Sequence, residues 1–375
     1  MQALVFRAEN AGLTLEDIAA PVIDPKLPAD ADQAIVKIIY TGICGTDKHI
    51  WAHDPSITAK MAKAASALHK NWLVAGHELL GQVVAVGAGV SNVQVGAYVS
   101  AESHLICGEC FQCRNGQNHV CVNELIIGVT TDGCFAEYCK LPARTLWSTD
   151  VKKIPPALAA VQEPFGNAVH VCEQVDMRGK TVAVFGCGTI GLMCVIIAKA
   201  FGAAKVIGIE PNPKNIELAA DVGADFMVKL DLEAAKTLGY CQQLCDRIFD
   251  YTGGQGVDVA LEISGQNDSI NNALNVLRRG GDAIFFGIPS GDKPIQIEDY
   301  SRNVIFKGVT MHGVVGRRVF KTWNHTRQLL EQPAVAAKML KIVSRDPIPH
   351  KKFREAFVSG SPTHPKVILE WSKLS

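Results

Sequence analysis

The first third of the chain carries short stretches in which apolar and polar residues alternate, as they do in half-buried β-strands. Glycines and prolines separate these stretches and favour turns between them. The strands that this pattern predicts cover residues 3–8, 13–18, 34–40, 79–90 and 93–100. One segment differs, because apolar residues between 57 and 68 recur at the spacing of one helix face. We therefore predict a mostly β N-terminal domain built on a small antiparallel sheet or barrel.

From about residue 160 the pattern changes, and continuous apolar strands alternate with helices. The predicted strands are 181–185, 206–209, 257–263 and 283–286, and the predicted helices are 190–201, 215–222 and 269–277. Strands without polar alternation are typical of a parallel sheet that helices cover on both faces. The predicted fold class is therefore α/β, with residues 161–301 forming a doubly wound domain. The mixed tail 302–375 is expected to return to the first domain, residues 1–160.

Composition narrows the range of functions. Lysine plus arginine and aspartate plus glutamate number 37 each, so charge gives no reason to expect nucleic acid or an anionic membrane as a partner. The N-terminus shows no signal-peptide pattern, and the longest apolar run, 190–198, is about half of the ~20 residues that a membrane span needs. Twelve cysteines in such a chain favour a cytoplasmic protein with metal-binding thiols rather than disulfides.

The run Gly186-Cys187-Gly188-Thr189-Ile190-Gly191 follows a predicted strand and opens a predicted helix. Gly186 permits the tight turn, Gly188 lets the backbone approach a pyrophosphate, and Gly191 permits close packing of the helix on the strand. The start of a helix also attracts phosphate charge. This order of elements predicts a dinucleotide-binding site that includes Thr189 and Ile190.

Glu210 ends the next predicted strand, where an acidic side chain can bind both ribose hydroxyls of a dinucleotide. A carboxylate at this position repels a 2′-phosphate, so NAD is favoured over NADP. Lys214 lies nearby in the sequence and leaves NADP as an alternative.

Four cysteines are closely spaced at Cys107, Cys110, Cys113 and Cys121. One loop with this spacing can surround a single tetrahedral ion, and four protein ligands leave no open position, so a structural zinc is predicted. An iron–sulfur cluster is the alternative that uses the same ligands. The remaining cysteines show no such grouping and are expected to be core thiols, apart from Cys44.

Cys44 follows a predicted strand and is expected to face a cleft. A catalytic zinc takes about three protein ligands plus water or substrate, so Cys44 needs partners from elsewhere in the chain. The pair His77-Glu78 offers an imidazole and a carboxylate, and Glu163 offers a second carboxylate near the start of the nucleotide domain. Each has a simpler interpretation, His77 as a buried core histidine and Glu163 as a helix-start acid.

Several motifs together resemble the zinc-dependent medium-chain alcohol dehydrogenases, and the branch that they resemble most is L-threonine 3-dehydrogenase. These motifs are 44–49 (CGTDKH), 76–78 (GHE), the four-cysteine loop, 133–138 (GCFAEY), the glycine turn at 186, 163–170 (EPFGNAVH), 304–308 (VIFKG) and 316–323 (GRRVFKTW), with His104 before the cysteine loop. The resemblance extends over nearly the whole chain.

This resemblance implies a GroES-like catalytic domain, a Rossmann domain after it, and a C-terminal return to the first. It also implies a homotetramer, NAD as cofactor, and two zinc ions per chain, one catalytic and one structural. Cys44 and His77 would hold the catalytic zinc, with Glu78 or Glu163 completing the shell. His104 would lie near the active site, although a structural role for this histidine stays open.

The same resemblance implies a proton relay. Zinc acts as a Lewis acid on the substrate hydroxyl. Thr46 would pass the proton through the nicotinamide ribose toward His49, which is expected to face solvent. An ordinary surface histidine is the alternative interpretation of His49.

Several alternatives stay open. A polyol such as sorbitol, a tetritol or a butanediol competes with L-threonine as substrate, because the sorbitol dehydrogenase branch also matches at Glu78 and Glu163. The tryptophan-rich segment of threonine dehydrogenases is missing at 51–56, and the stretch 57–68 lengthens the span between Cys44 and His77. That stretch is either a peripheral insertion or part of an altered pocket. A catalytically silent nucleotide-binding relative and an NADP-linked reductase are the remote possibilities.

Overall fold

The computed structural model describes residues 1–233, 239–289, 294–358 and 364–374. Contacts between residues divide the described chain into two compact units. The first unit comprises Met1–Pro164, Arg318–Glu331 and Val343–Ser375, and the second comprises Phe165–Arg317 and Gln332–Ile342. Within the predicted C-terminal return, residues 359–363 and 375 lie outside the described residues.

The strands follow the chain in this order: β1 Gln2–Arg7, β2 Leu13–Asp17, β3 Gln33–Gly42, β4 Trp72–Val74, β5 Glu78–Val86, β6 Tyr98–Ala101, β7 His104–Leu105, β8 Leu125–Ile126, β9 Tyr138–Pro142, β10 Leu146–Ser148, β11 Thr181–Phe185, β12 Lys205–Glu210, β13 Phe226–Lys229, β14 Val257–Glu262, β15 Leu277–Phe285, β16 Thr310–Gly313, β17 Ile348–Pro349 and β18 Ile368–Glu370.

The α-helices among the described residues are α1 Gly45–Trp51, α2 Pro55–Ala67, α3 Phe111–Arg114, α4 Pro156–Ala159, α5 Gln162–Cys172, α6 Thr189–Ala200, α7 Pro213–Val222, α8 Gln242–Tyr251, α9 Asn267–Val276, α10 Lys321–Leu330, α11 Pro333–Ile342 and α12 Phe353–Val358. Short 3₁₀ turns lie at Pro28–Asp30, Asn118–Val120, Ala143–Thr145 and His350–Lys352, and a π-helical turn lies at Ser301–Ile305.

The first unit is built on a seven-stranded sheet in the order β10-β6-β5-β3-β18-β17, with β9 also paired to β3. Strand β18 from the C-terminus pairs antiparallel with β3, so the end of the chain completes a sheet begun near its start. A three-stranded sheet, β2-β1-β4, and the two-stranded β7-β8 complete this unit. One apolar cluster, which includes Phe6, Ile38, Phe135 and Trp371, forms its main core.

The second unit contains a six-stranded parallel sheet in the order β13-β12-β11-β14-β15-β16. Its core residues include Ala183, Ile207, Ala260 and Ala283, all fully or almost fully buried in the apolar strands. The α/β fold class predicted from the alternation of strands and helices is confirmed.

Element boundaries differ from the prediction where glycines interrupt the apolar pattern. The predicted strands 79–90 and 93–100 are shorter in the structure, because β5 ends at Val86 and β6 begins at Tyr98. A side chain at Gly87 would come within 2.1 Å of the Asp30 carbonyl oxygen, and Gly96 has a φ of +93°. The chain therefore turns between these strands. Among the described residues, no helix is long and apolar enough to cross a membrane.

Candidate metal and nucleotide sites

The register of β3 and β5 explains how residues distant in sequence meet at one point. Gly42, the last residue of β3, pairs with Glu78, the first residue of β5. Cys44 follows β3 and His77 precedes β5, so both side chains lie at the same edge of the sheet. The ligand atoms of Cys44, His77 and Glu78 all lie within 4.8 Å of one another.

The chain turns into α1 directly at Cys44, and a carboxylate holds this turn. Cys44 has an extended backbone and occupies the N-cap position of α1. Its backbone N–H donates to Asp47 Oδ2 at 2.8 Å. Asp47 is fully buried, and its other oxygen, Oδ1, lies 3.8 Å from His77 Nδ1. Asp47 therefore connects the backbone of one candidate ligand to the ring of another, which sequence reasoning missed.

The electrostatics of this group favour a cation. Burial alone would lower the pKa of His77, but negative charge on Asp47, Cys44 and Glu163 outweighs burial and raises this pKa to about 10. Burial raises the pKa of the Asp47 carboxyl. His77 Nδ1 and Glu78 Oε2 are buried atoms that have no hydrogen-bond partner among the described residues. A thiol, an imidazole and a carboxylate that converge within 4.8 Å fit a zinc ion.

Glu78 also forms a buried ion pair that the sequence did not indicate. Lys366 Nζ donates to Glu78 Oε1 at 2.5 Å and to the Ile43 carbonyl oxygen at 2.9 Å. The exposed fractions of Lys366 and Glu78 are 2% and 0%. Burial raises the pKa of Glu78, whereas the carboxylate of Glu78 raises the pKa of Lys366 against the effect of burial. Lys366 lies just before β18, so the pairing of β18 with β3 brings it here.

Glu163 lies outside the group of three but close enough for its charge to affect both His77 and Glu78. It is buried, and its Oε1 accepts a hydrogen bond of 2.7 Å from Ser103 Oγ. The structure thus keeps two carboxylates at or near the candidate zinc site, one paired with a lysine and one with a hydroxyl.

The predicted relay residues lie on α1. Thr46 is half-buried in the first turn, and His49 lies one turn later with 59% of its side chain exposed. Residues three apart on a helix lie on one face. His49 Nδ1 is 2.9 Å from Asp54 Oδ2.

His104 begins β7, and its backbone N–H donates to Glu102 Oε1 at 3.0 Å. The other oxygen of the buried Glu102 accepts a hydrogen bond of 2.7 Å from Trp323 Nε1. The motif 316–323 therefore includes a residue that anchors the segment before the cysteine loop. The ring of His104 lies 3.8 Å from Glu124, measured from Nδ1 to Oε2.

The four cysteines of the predicted structural site converge. Their sulfur atoms all lie within 4.8 Å of one another. The backbone N–H groups of Cys107 and Cys110 donate to Cys121 Sγ and Cys107 Sγ, each at 3.4 Å. The backbone N–H of Cys113 lowers the pKa of Cys110 to about 6. Such N–H···S bonds favour thiolates, which are the form that binds zinc. All other cysteines except Cys44 are buried, as predicted.

The glycine turn of the second unit joins β11 to α6. Gly186 has a φ of +89°, and a side chain at Gly191 would come within 1.8 Å of the Gly186 carbonyl oxygen. A side chain at Gly188 would meet no atom within 4 Å. Gly186 and Gly191 are therefore required by the protein's own packing, whereas the space at Gly188 fits an approaching ligand. Thr189 and Ile190 form the first turn of α6.

Glu210 ends β12 and is 6% exposed. Its Oε2 accepts a hydrogen bond of 2.8 Å from the Cys187 N–H, and its Oε1 accepts one of 3.0 Å from the Asn212 N–H. The carboxylate thus fixes the glycine turn and keeps acceptor capacity for a ribose. Lys214 is exposed in the first turn of α7, where its N–H donates to Asn212 Oδ1.

Two sequence-family models match the chain. The model described as the alcohol dehydrogenase GroES-like domain matches residues 30–153, and the model described as zinc-binding dehydrogenase matches residues 189–332. The chain is 36% identical over 357 residues to an L-threonine 3-dehydrogenase of Bacillus licheniformis, which covers 95% of this chain and 94% of that relative. The protein is therefore a member of the zinc-dependent medium-chain alcohol dehydrogenase family.

Solved structures agree in fold. An alcohol dehydrogenase from Thermotoga maritima superposes with a TM-score of 0.83 at 23% identity over 98% of both chains. The 2R,3R-butanediol dehydrogenase of Bacillus subtilis superposes with a TM-score of 0.81 at 23% identity, covering 98% of this chain and 99% of that one. Family membership defines the protein as a zinc- and NAD-dependent dehydrogenase that acts on a CH–OH group.

Proposed function

We propose that this enzyme oxidises the secondary hydroxyl of L-threonine to a ketone, with the catalytic zinc held by Cys44, His77 and a carboxylate from Glu78 or Glu163. The observation that carries the zinc assignment is the convergence of Cys44, His77 and Glu78 within 4.8 Å. The buried atoms His77 Nδ1 and Glu78 Oε2, which have no hydrogen-bond partner among the described residues, support it. The substrate proposal is supported by the threonine dehydrogenase relative, which is similar along nearly its whole length.

The residues around this site have distinct tasks. Zinc, when bound, acts as a Lewis acid toward the substrate hydroxyl, and NAD, when bound, accepts the hydride. Asp47 holds the backbone of Cys44 and places a carboxylate oxygen 3.8 Å from His77 Nδ1. Lys366 keeps one oxygen of Glu78 engaged, which leaves Oε2 as the oxygen available to a cation.

Thr46 and His49 move the hydroxyl proton. Both lie on α1, with Thr46 half-buried and His49 exposed, so a proton accepted near Thr46 can leave to solvent at His49. In the overall reaction the substrate loses a hydride from carbon and a proton from oxygen. The hydride reduces NAD and the proton reaches water, so the reaction balances. His104 stays a candidate for a residue near the substrate.

Steady-state rates of the zinc-loaded enzyme test the substrate. We expect NAD-dependent turnover of L-threonine, with kcat/KM at least about tenfold above that for sorbitol, a tetritol or 2,3-butanediol. Higher kcat/KM on a polyol, or no turnover of L-threonine, would reject L-threonine as the substrate.

Site variants test the mechanism. Cys44→Ser and Thr46→Val should each lower kcat by about a hundredfold or more. Cys139→Ser is the matched control for the first variant, because Cys139 is a buried thiol that belongs to neither metal group. Parallel assays of Glu78→Gln and Glu163→Gln would show which carboxylate matters more for zinc retention.

The coenzyme preference is proposed to be NAD rather than NADP, because the buried carboxylate of Glu210 lies at the end of β12 where a 2′-phosphate would be repelled. Glu210→Ser should raise the relative affinity for NADP. Equal affinities of the unmodified enzyme for both coenzymes would contradict this preference.

The enzyme is also proposed to be a homotetramer. Strand β16 lies at the edge of the six-stranded sheet, and its Met311 is 44% exposed. Ile305 and Phe306, which precede this strand in the sequence, are 57% and 71% exposed. In the region of the cysteine loop, Phe111 and Val122 are each 68% exposed. Each unit thus exposes large apolar side chains, and more than one apolar contact per chain suits a tetramer.

Light scattering measures the assembly directly. Met311→Lys should lower the mass in solution, whereas Val84→Lys, at a residue that is 38% exposed in the first unit, should not. A monomeric wild-type protein would contradict the proposal.

We further propose a cytoplasmic location, which is supported by twelve unpaired cysteines, since both predicted zinc sites need reduced thiols.

A further inference from the structure

The end of α1 brings an acidic residue against the predicted relay histidine. His53 follows the helix in a left-handed conformation, with a φ of +57°. Its N–H donates to the Ile50 carbonyl oxygen at 3.0 Å, and the next N–H, of Asp54, donates to the His49 carbonyl oxygen at 2.9 Å. These two bonds define a Schellman motif, which fixes the residue after the left-handed position over the last turn of the helix. Asp54 is therefore held next to His49 by the backbone alone.

The carboxylate of Asp54 is fixed from its other side by α2. Asp54 is the N-cap residue of this helix, and its Oδ1 accepts a hydrogen bond of 2.9 Å from the Ser56 N–H. Its carbonyl oxygen accepts a further bond of 2.9 Å from Thr58 Oγ1. Only the second carboxylate oxygen, Oδ2, faces the ring of His49, at 2.9 Å from Nδ1.

The chemistry of this contact determines where the proton of the neutral ring lies. Hydrogen bonds from Ser56, and the neighbouring His49, lower the pKa of Asp54, so its carboxylate is ionised near neutral pH. An ionised carboxylate only accepts hydrogen bonds. Nδ1 of His49 must therefore donate, and in the neutral ring Nε2 must then carry the lone pair.

We propose that Asp54 is a positioning residue for the proton relay: it holds neutral His49 with the proton on Nδ1, so that Nε2 is the nitrogen that accepts the proton from the substrate side. This inference rests on the proposed role of His49. It also gives the stretch 57–68 a function, because α2 is the element whose N-cap fixes Asp54. The stretch 57–68 is then more than a peripheral insertion or part of an altered pocket, because it supports the proton relay.

Two substitutions separate the two tasks of Asp54. Asparagine and serine are both good N-cap residues, so Asp54→Asn and Asp54→Ser keep the start of α2. In Asp54→Asn the amide oxygen stays on Ser56, and the NH₂ group faces His49, which reverses the polarity of the contact. In Asp54→Ser the side chain is too short to reach the ring. Unchanged thermal unfolding of both variants verifies that α2 persists.

The direct readout is the tautomer of His49 in ¹⁵N-histidine-labelled enzyme, at a pH where the ring is neutral. Two-bond ¹H–¹⁵N spectra distinguish a protonated from an unprotonated ring nitrogen. The signal among the eleven histidines is assigned by its loss in His49→Gln. We expect the proton on Nδ1 in the wild type and on Nε2 in Asp54→Asn. A wild-type ring with its proton on Nε2, or a tautomer that Asp54→Asn leaves unchanged, would overturn the proposal.

Kinetics separate this inference from the function on which it rests. Asp54→Ser should lower kcat about tenfold with little change in the KM for NAD, and should have no further effect in a His49→Gln background. An equal loss in that background would overturn the positioning role. If His49→Gln itself kept full kcat, the relay would be refuted, while the tautomer measurement would still decide whether Asp54 orients the ring.

Discussion

The buried pair of Lys366 and Glu78 offers a quantitative test of the geometry at the candidate zinc site. In Lys366→Met the ammonium that lies 2.5 Å from Glu78 Oε1 is removed, and the carboxylate is left with 0% exposure. Removal of one partner from a buried ion pair costs about 3–5 kcal/mol, because the remaining charge is uncompensated. The Ile43 carbonyl oxygen also loses its 2.9 Å bond from Lys366.

Calorimetric unfolding measures this cost. A loss of about 3–5 kcal/mol corresponds to a fall of roughly 10 °C in the midpoint for a unit of this size, since each kcal/mol shifts it by about 2–4 °C. The double variant Lys366→Met/Glu78→Gln should recover about 2 kcal/mol or more of the free energy of unfolding, because a neutral amide replaces the unpaired carboxylate. All proteins should be compared with the catalytic zinc removed, because a zinc ion at Glu78 would compensate the remaining charge and would itself stabilise the folded state.

Lys341→Met is the matched control. Lys341 forms an ion pair of 2.7 Å with Asp221, but the two side chains are 39% and 56% exposed. Exposed pairs contribute about 0–1 kcal/mol, so this variant should unfold close to the wild type. If Lys366→Met were equally close to the wild type, or if the double variant showed no recovery, the inferred burial of this pair would be wrong.

Three further predictions concern other parts of the chain. Gly191→Ala should lower the unfolding midpoint and abolish NAD binding, whereas Gly188→Ala should keep the midpoint and weaken NAD binding about tenfold. Calorimetry measures the midpoints and cofactor titration measures the binding. Equal midpoints of the two variants would contradict the 1.8 Å clash at Gly191. Burial lowers the pKa of Lys307 to about 8 from its usual 10.5, so the unfolded chain binds more protons between these values and stability should rise with pH across that window. Lys307→Met should flatten this rise in denaturant titrations at several pH values, and an unchanged slope would refute it. Cys110→Ser should lose one zinc by metal analysis and unfold at lower temperature, because its sulfur belongs to the four-cysteine group.

The sequence predicted those helices and strands whose hydrophobic periodicity is complete within one short segment. The strand–turn–helix at 181–201 and the helix at 57–68 have clear periodicity, and the structure has β11, α6 and α2 there. Helix α5 was indicated only by the alternative interpretation of Glu163 as a helix-start acid, and Glu163 does lie in its first turn. Its length was not predicted, because Gly166 within it is a poor helix former. The other helices that were not predicted are α1, α3, α4, α8, α10, α11 and α12.

The candidate ligands could be predicted from the sequence, but most of the residues that support them could not. Cys44 and His77 occur in motifs with known chemistry. Lys366 lies far from both in the sequence, and only the pairing of β18 with β3 brings it to Glu78. Asp47 is an exception, since an acid three residues after an N-cap position is a recognisable local signal that could have predicted its bond to Cys44.

The measurement that tests the central claim most directly is the zinc content of the purified chain and its variants. The wild type should contain two zinc ions per chain, because two groups of ligands converge. Cys44→Ser should retain one zinc and lose turnover, while Cys139→Ser should retain both. A wild-type chain with a single zinc, or a Cys44→Ser variant that keeps two zinc ions and full activity, would contradict the assignment of Cys44 and His77 to a catalytic metal.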